Sequence, residues 1–348
     1  MDLLILGGSF ALILFGAELF TNGIEWFGRK LELAEGAVGS VLAAVGTAMP
    51  ETMIPIIAIV FAQGAGHEQI GVGAILGAPF MLATLAMFVT GGAVLWRKRR
   101  WPEGDRMNVN VAVLGMDMRV FAMAYSLAIT AALLPAGSTW PKLIVAVALL
   151  AIYAWYVKRH FEADPDVDAA DLAPLRFRRL DPQHRGVLGP PRLRIVTLQV
   201  IAALACIIGG AIAFVDAIEH VAHAIGVAEV LLALVVAPIA TELPEKFNSI
   251  IWIRQGKDTL AMGNITGAMV FQATIPTVVA LVLAPASWVI EPGSYVAFAS
   301  AGIAFLSSAA IFVPMARRGR LTGRSLLIGG VFYVAYLALV VAAILNGR

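Results

Sequence analysis

Ten runs of apolar residues, each close to the roughly 20 residues that a bilayer core requires, account for most of the chain. They fall near 3–24, 36–62, 69–96, 111–135, 140–157, 195–217, 228–253, 259–285, 294–314 and 325–345. Glycines and prolines interrupt several runs, which helices in lipid tolerate when neighbours satisfy the freed backbone groups. The longest polar stretch, Lys158 to Arg194, mixes acidic residues with arginines and prolines and shows no apolar periodicity. It reads as a cytoplasmic linker, partly disordered, and it divides the runs five and five. Five is odd, so the second half enters the membrane upside down relative to the first, as in secondary transporters built from inverted repeats. The expected fold is an all-α membrane protein of ten transmembrane helices: a first five-helix repeat over 1–157, the linker over 158–194, and a second repeat of inverted topology over 195–348.

Composition agrees. Hydrophobic residues make up 60% of the chain and charged residues 14%, with a mean hydropathy of +0.85, which is too apolar for an ordinary soluble domain. A net charge of +2 gives no reason to expect a nucleic-acid partner. The basic residues instead alternate between connections: Arg29-Lys30, Arg97 to Arg100, the linker, Arg254 with Lys257, and Arg317 to Arg320 carry them, while 63–69, 220–228 and 285–293 do not. The positive-inside rule then places the basic loops in the cytoplasm and both termini outside, in a multi-pass protein of the cell (inner) membrane. Trp26, Trp96, Trp101, Trp140, Trp155, Trp252 and Trp288 lie near run ends, as an aromatic belt requires. The apolar run at Leu3 has no basic region before it and reads as a retained helix.

Two runs carry charge where lipid should exclude it. Gly46-Thr47-Ala48-Met49-Pro50-Glu51 and Ala240-Thr241-Glu242-Leu243-Pro244-Glu245 repeat Thr, Pro and Glu at one spacing, 194 residues apart (245 minus 51). The same offset aligns Glu25 with Glu219 and Glu35 with Glu229. A carboxylate near the bilayer centre costs at least ~2.5 kcal/mol, so it marks a polar cavity by default. An interior proline removes a helix hydrogen bond and frees carbonyls near Gly46 and Thr47, so helices 2 and 7 are expected to be kinked. Carboxylate, hydroxyl and carbonyl oxygens together suit a hard cation such as Ca²⁺, and Mn²⁺ and Mg²⁺ accept the same ligands. The third run of each half repeats a pair of glycines four apart, Gly73 with Gly77 and Gly263 with Gly267, which permits close helix packing.

These motifs resemble those of the sodium/calcium exchangers of the cation/calcium antiporter superfamily, in a divergent bacterial type. The likeness covers nearly all of the chain outside the linker. It implies a ten-helix antiporter that binds Ca²⁺ between the two Pro-Glu helices and counter-transports Na⁺, or H⁺ in some branches. Carried over, the family's essential glutamates fall on Glu51 and Glu245 and its threonines on Thr47 and Thr241, while Gln272 and Leu82 stand where it has Asn or Asp. Ala48, Glu242, Ala78 and Ala268 replace its serines, which strips oxygens from the implied Na⁺ shell and makes proton coupling nearly as plausible as sodium coupling. Glu242 and Lys246 are spaced i, i+4 with the acid first, the favourable order on a helix. Either the two neutralise each other and leave Glu51 and Glu245 to hold the ion, or Lys246 occupies a coupling-ion position as a tethered charge.

No resident cofactor is expected, Ca²⁺ and Na⁺ or H⁺ being cargo. An enzyme is not, since the five histidines fall in connections or at run ends. Nor does anything resemble a channel's selectivity filter. Glu18 and Asn22 are expected to snorkel or cap near the membrane surface, and Asp117 to pair with Arg119.

Overall fold

The structure, a computed structural model, describes residues 2–48, 65–97, 104–162, 172–181, 191–224, 242–291 and 294–345. The helices are α1 Asp2–Lys30, α2 Ala37–Thr47 and α3 over 65–97, assembled from Ala65–Met81, Leu82–Ala86 and Met87–Arg97. Then come α4 Val111–Ala132, α5 Thr139–Phe161, α6 Leu193–Ala224, α7 Leu243–Gln255, α8 Asp258–Leu283, α9 Tyr295–Arg318 and α10 over 323–345. Among the described residues, eight are long and apolar enough to cross a bilayer; α2 and α7 are shorter, and each borders a stretch outside the description. Strands β1 Arg106–Met107 and β2 Leu321–Thr322 pair antiparallel and tie the loop before α4 to the start of α10.

The helices run a turn beyond several apolar runs because basic residues that favour the negative end of the helix dipole close them. Arg29 and Lys30 end α1, and Arg317 with Arg318 end α9. The tripartite α3 contains a π-helical turn at Leu82–Ala86, and α2 is π-helical over Ala37–Ala43. Wide turns of this kind recur at functional sites.

Small residues set two close helix crossings. Gly16 of α1 lies where an added Cβ would stand 3.1 Å from the Ala203 carbonyl oxygen and 2.9 Å from Ile207 of α6. Gly210 of α6 would meet the Ser9 carbonyl oxygen at 3.1 Å and Ile13 of α1 at 2.8 Å. Each contact maps onto the other through the 194-residue offset, so α1 and α6 exchange equivalent surfaces as an isologous pair does. In the second crossing, Gly263 and Gly267 of α8 lie against Gly39 and Ser40 of α2. A Cβ on Gly267 would be 2.0 Å from the Ser40 carbonyl oxygen, a contact only glycine permits. Gly73 and Gly77 meet nothing within 4 Å. Helix α8 is the centre of the bundle, with 83% of its apolar window buried against 22% for α5 and for α10.

The expected Asp117–Arg119 pair does not form. Residues two apart on a helix do not face each other, and Arg119 donates Nε to the Gly115 carbonyl at 3.0 Å. Asp117 instead points inward, fully buried, and joins four helices. Ser40 Oγ of α2 donates to Oδ2 at 2.8 Å and Thr266 Oγ1 of α8 at 2.5 Å. Tyr156 OH of α5 donates to Oδ1 at 2.9 Å, and His160 Nε2 lies 3.0 Å from the same oxygen. A carboxylate only accepts, so His160 Nε2 carries the proton.

Within the linker, 172–181 is docked. Ala173 accepts from Trp26 Nε1 at 2.9 Å, the Arg176 and Phe177 amides donate to Asn22 and Gln199, and Arg176 pairs with Glu18 at 2.6 Å. Glu18 and Asn22 thus hold the linker against α1 and α6. Buried ion pairs close the same face: Arg97 grips Asp258 with both terminal nitrogens, at 2.6 and 3.0 Å, and Glu25 accepts from Trp252 Nε1 and Lys257.

Asp117→Ala removes the acceptor shared by four buried groups, of which Tyr156 and Thr266 keep a second one in the Ser40 and Met262 carbonyls, and should cost about 3 kcal/mol, the lower end for breaking a buried ionic network. Thermal unfolding in detergent should show a clear fall in Tm for this variant and a smaller one for Asp117→Asn; an unchanged Tm in both contradicts the hub.

Candidate functional site

The end of α2 and the start of α7 share one backbone conformation. Helix α2 ends at Thr47, and Ala48 adopts φ −79°, ψ 4°. Glu242, 194 residues later, adopts φ −90°, ψ 8° and caps the start of α7. Both lie in the sparsely allowed bridge region, where many active-site residues sit. Pro244 falls in the first turn of α7, a position where its missing N–H would have had no helical partner. Glu51, Pro50 and Thr241 lie outside the described residues, so the first-half carboxylate and the second-half threonine remain expectations.

Thr47, Glu242, Glu245, Lys246 and Gln272, all predicted from sequence, are buried. The geometry joins them through a residue the sequence reading left aside. Thr47 Oγ1 bonds the Ala43 carbonyl at 3.0 Å and lies 3.2 Å from Asn264 Oδ1, while Asn264 Nδ2 donates to the Glu245 main-chain carbonyl at 3.3 Å. Asn264 of α8 therefore spans from the end of α2 to the start of α7. Its place between Gly263 and Gly267 was the available signal: an amide on the face that two glycines press against a neighbour has to find partners there. Gln272, two turns further along α8, donates Nε2 to the Ala48 carbonyl at 3.4 Å. That carbonyl belongs to the non-helical residue ending α2.

Charge is distributed unevenly. Lys246 Nζ bonds Glu242 Oε2 at 2.8 Å, both side chains being almost wholly buried. Glu245 is fully buried, yet neither of its carboxylate oxygens has a hydrogen-bond partner among the described residues. Asn248, one turn further along α7, is fully buried as well, and its amide oxygen and nitrogen also lack partners among the described residues. It too went unmarked in the sequence. Leaving such groups unpaired costs about 1 to 3 kcal/mol each and more for a charge, so a concentration of them on one half-helix points to a ligand held there. An oxygen set of this kind suits a hard cation and no redox metal.

Comparison with known proteins places the chain in a family. The sodium/calcium exchanger protein family matches the chain over residues 1–159 and 195–345. A protein of Alkalimonas amylolytica described as "Putative antiporter CaxA" is 25% identical over 284 residues, spanning 79% of this chain and 78% of that protein. Among solved structures, the sodium-calcium exchanger NCX_Mj soaked with 10 mM Na⁺ and zero Ca²⁺ superposes with a TM-score of 0.70 at 15% identity, over 97% of this chain and 99% of that one. The same exchanger soaked with 100 mM Na⁺ and 10 mM Sr²⁺ gives a TM-score of 0.71 at 16% identity and the same coverage. At those identities the structural likeness speaks to fold, and the family match carries the assignment: this chain belongs to the sodium/calcium exchanger family.

Proposed function

We propose that the protein is a secondary antiporter that moves a divalent cation, Ca²⁺ foremost, against Na⁺ or H⁺ by alternating access. The observation that carries this reading is Glu245, a fully buried carboxylate with two unpartnered oxygens beside the Asn264-bridged ends of α2 and α7. With Glu51 in the equivalent position of the first half, and with Glu242 neutralised by Lys246, the site holds two negative charges. These match one divalent cation or two protons. The chain is read as ten spanning helices in two halves, 1–157 and 195–348, inserted in opposite senses, with helices 2 and 7 broken at Pro50 and Pro244. The isologous α1–α6 contact and the matched backbone of Ala48 and Glu242 support that reading. Thr47, Thr241 and Gln272 complete the proposed oxygen set. The basic helix ends favour a cytoplasmic location for the linker, and thus both termini outside a cell (inner) membrane.

The counter-ion divides along chemistry. The family description favours Na⁺. Ala48, Ala78, Leu82 and Ala268 offer no side-chain oxygens for a Na⁺ shell, whereas protons require only carboxylates. Proteoliposomes loaded separately with Na⁺ or held at an imposed pH difference decide between them. Ca²⁺ uptake driven by an outward Na⁺ gradient identifies Na⁺, and uptake that follows the pH gradient and ignores Na⁺ identifies H⁺. Uptake that needs neither overturns antiport in favour of a channel. Parallel uptake of Mg²⁺ or Mn²⁺ tests the reading that another divalent ion is the cargo.

Two variants test the charge assignment in the same assay. Glu245→Gln keeps the shape and removes the charge, and should lower divalent uptake by at least about 100-fold, the loss of some 3 kcal/mol or more from an uncompensated buried site. The double change Glu242→Gln with Lys246→Met removes a neutral pair and should retain uptake, since replacing both members of a buried pair is often close to neutral. Loss of uptake in the folded double variant assigns Glu242 and Lys246 to the cargo site instead.

A further inference from the structure

A cavity of about 530 Å³ opens between α4 and α5, away from the ion site, and nothing in the antiport reading uses it. Met116, Val120, Met123 and Trp155 give it an apolar wall, and Arg119, Arg159 and Glu162 supply its charge. It lies at the membrane face where the basic residues collect, because α4 starts there and α5 ends there with Lys158 and Arg159 in its last turn. Arg119 is eight residues into α4, about 12 Å along the axis at 1.5 Å per residue. Its Nε bond to the Gly115 carbonyl turns the side chain back toward the start of the helix. The Arg159 guanidinium lies 5.9 Å from the centre of the Trp155 ring, at the level where an aromatic belt meets headgroups.

The charge is unbalanced. Glu162 is engaged by Lys158 at 3.6 Å. Neither Arg119 nor Arg159 has a carboxylate partner among the described residues, and both side chains are exposed. An arginine set into the membrane face of a helix is costly without an anion, and the anion present at that depth is a lipid phosphate. Two guanidiniums can bind it through paired N–H···O contacts. Basic pockets between helices at this face of a membrane are suited to anionic headgroups, and the cavity is within the size range of a ligand site.

We propose that this cavity binds an anionic phospholipid, with its phosphate between Arg119 and Arg159 and its acyl chain along Met116, Val120, Met123 and Trp155. Each basic residue near an anionic lipid gives about a 5-fold preference, so the two together should give about 25-fold. Native mass spectrometry of the full chain, titrated with phosphatidylglycerol or phosphatidylcholine, reads this directly. The wild type should favour phosphatidylglycerol by that factor, and Arg119→Gln with Arg159→Gln should abolish the preference. Arg119→Lys and Arg159→Lys, which keep the charge and lose the planar fork, should retain part of it and serve if the double variant does not fold. Equal binding of the two lipids by the wild type, or an undiminished preference in the glutamine or lysine variants, overturns the proposal. Displacement of phosphatidylglycerol by inorganic phosphate at equal concentration also overturns it, by making the site one for free phosphate.

Discussion

A carboxylate that is fully buried and makes no hydrogen bond among the described residues is the constraint around which this bundle is built. Glu245 would be expelled or paired in an ordinary interior, because an uncompensated charge in a medium of low dielectric costs several kcal/mol. The surrounding structure holds it in place without satisfying it. Asn264 bonds the Glu245 main chain rather than its side chain, and Lys246, the nearest cation in sequence, is taken by Glu242. The candidate site is therefore tied at its main chain and unpaired at its carboxylate among the described residues, which fits the proposed binding and release of a cation.

Rigidity comes from the neighbouring helices. Helix α8 presses Gly263 and Gly267 against the π-helical part of α2, and the Asp117 hub fastens Ser40 and Thr266 on either side of that crossing to α4 and α5. The pair α1 and α6 packs on itself through Gly16 and Gly210. Its links to the rest include the Glu25 contacts with Trp252 and Lys257 and the linker residues held by Asn22 and Gln199. The α1–α6 pair also packs on the rest through apolar contacts, Phe10 against Phe247 of α7 and Phe20 against Gly46 of α2.

Eight spans were legible because lipid imposes a simple demand on composition, and a proline with a glutamate marked the two candidate site segments in the sequence. The glycine pair of α8 was legible for its spacing. The Asp117 hub was not: its partners are 39 to 149 residues away, and Arg119, two positions on, offered a more obvious partner on the wrong side of the helix. Asn264 stood between the paired glycines of α8 without being given a role of its own, and Asn248 was passed over because one asparagine in an apolar run carries no pattern. The docked linker escaped notice because main-chain bonds to Asn22 and Gln199, not an apolar periodicity, hold it.

The central claim, that Glu245 is kept uncompensated for a cation, is tested most directly by unfolding temperature in detergent with and without Ca²⁺. A ligand at 100 times its Kd stabilises by about 2.7 kcal/mol if it binds only the folded state. The wild type should gain Tm as Ca²⁺ is added. Glu245→Gln, freed of its buried charge, should begin at a higher Tm without Ca²⁺ and show no gain. A variant that starts lower and responds to Ca²⁺ as fully as the wild type would contradict the account.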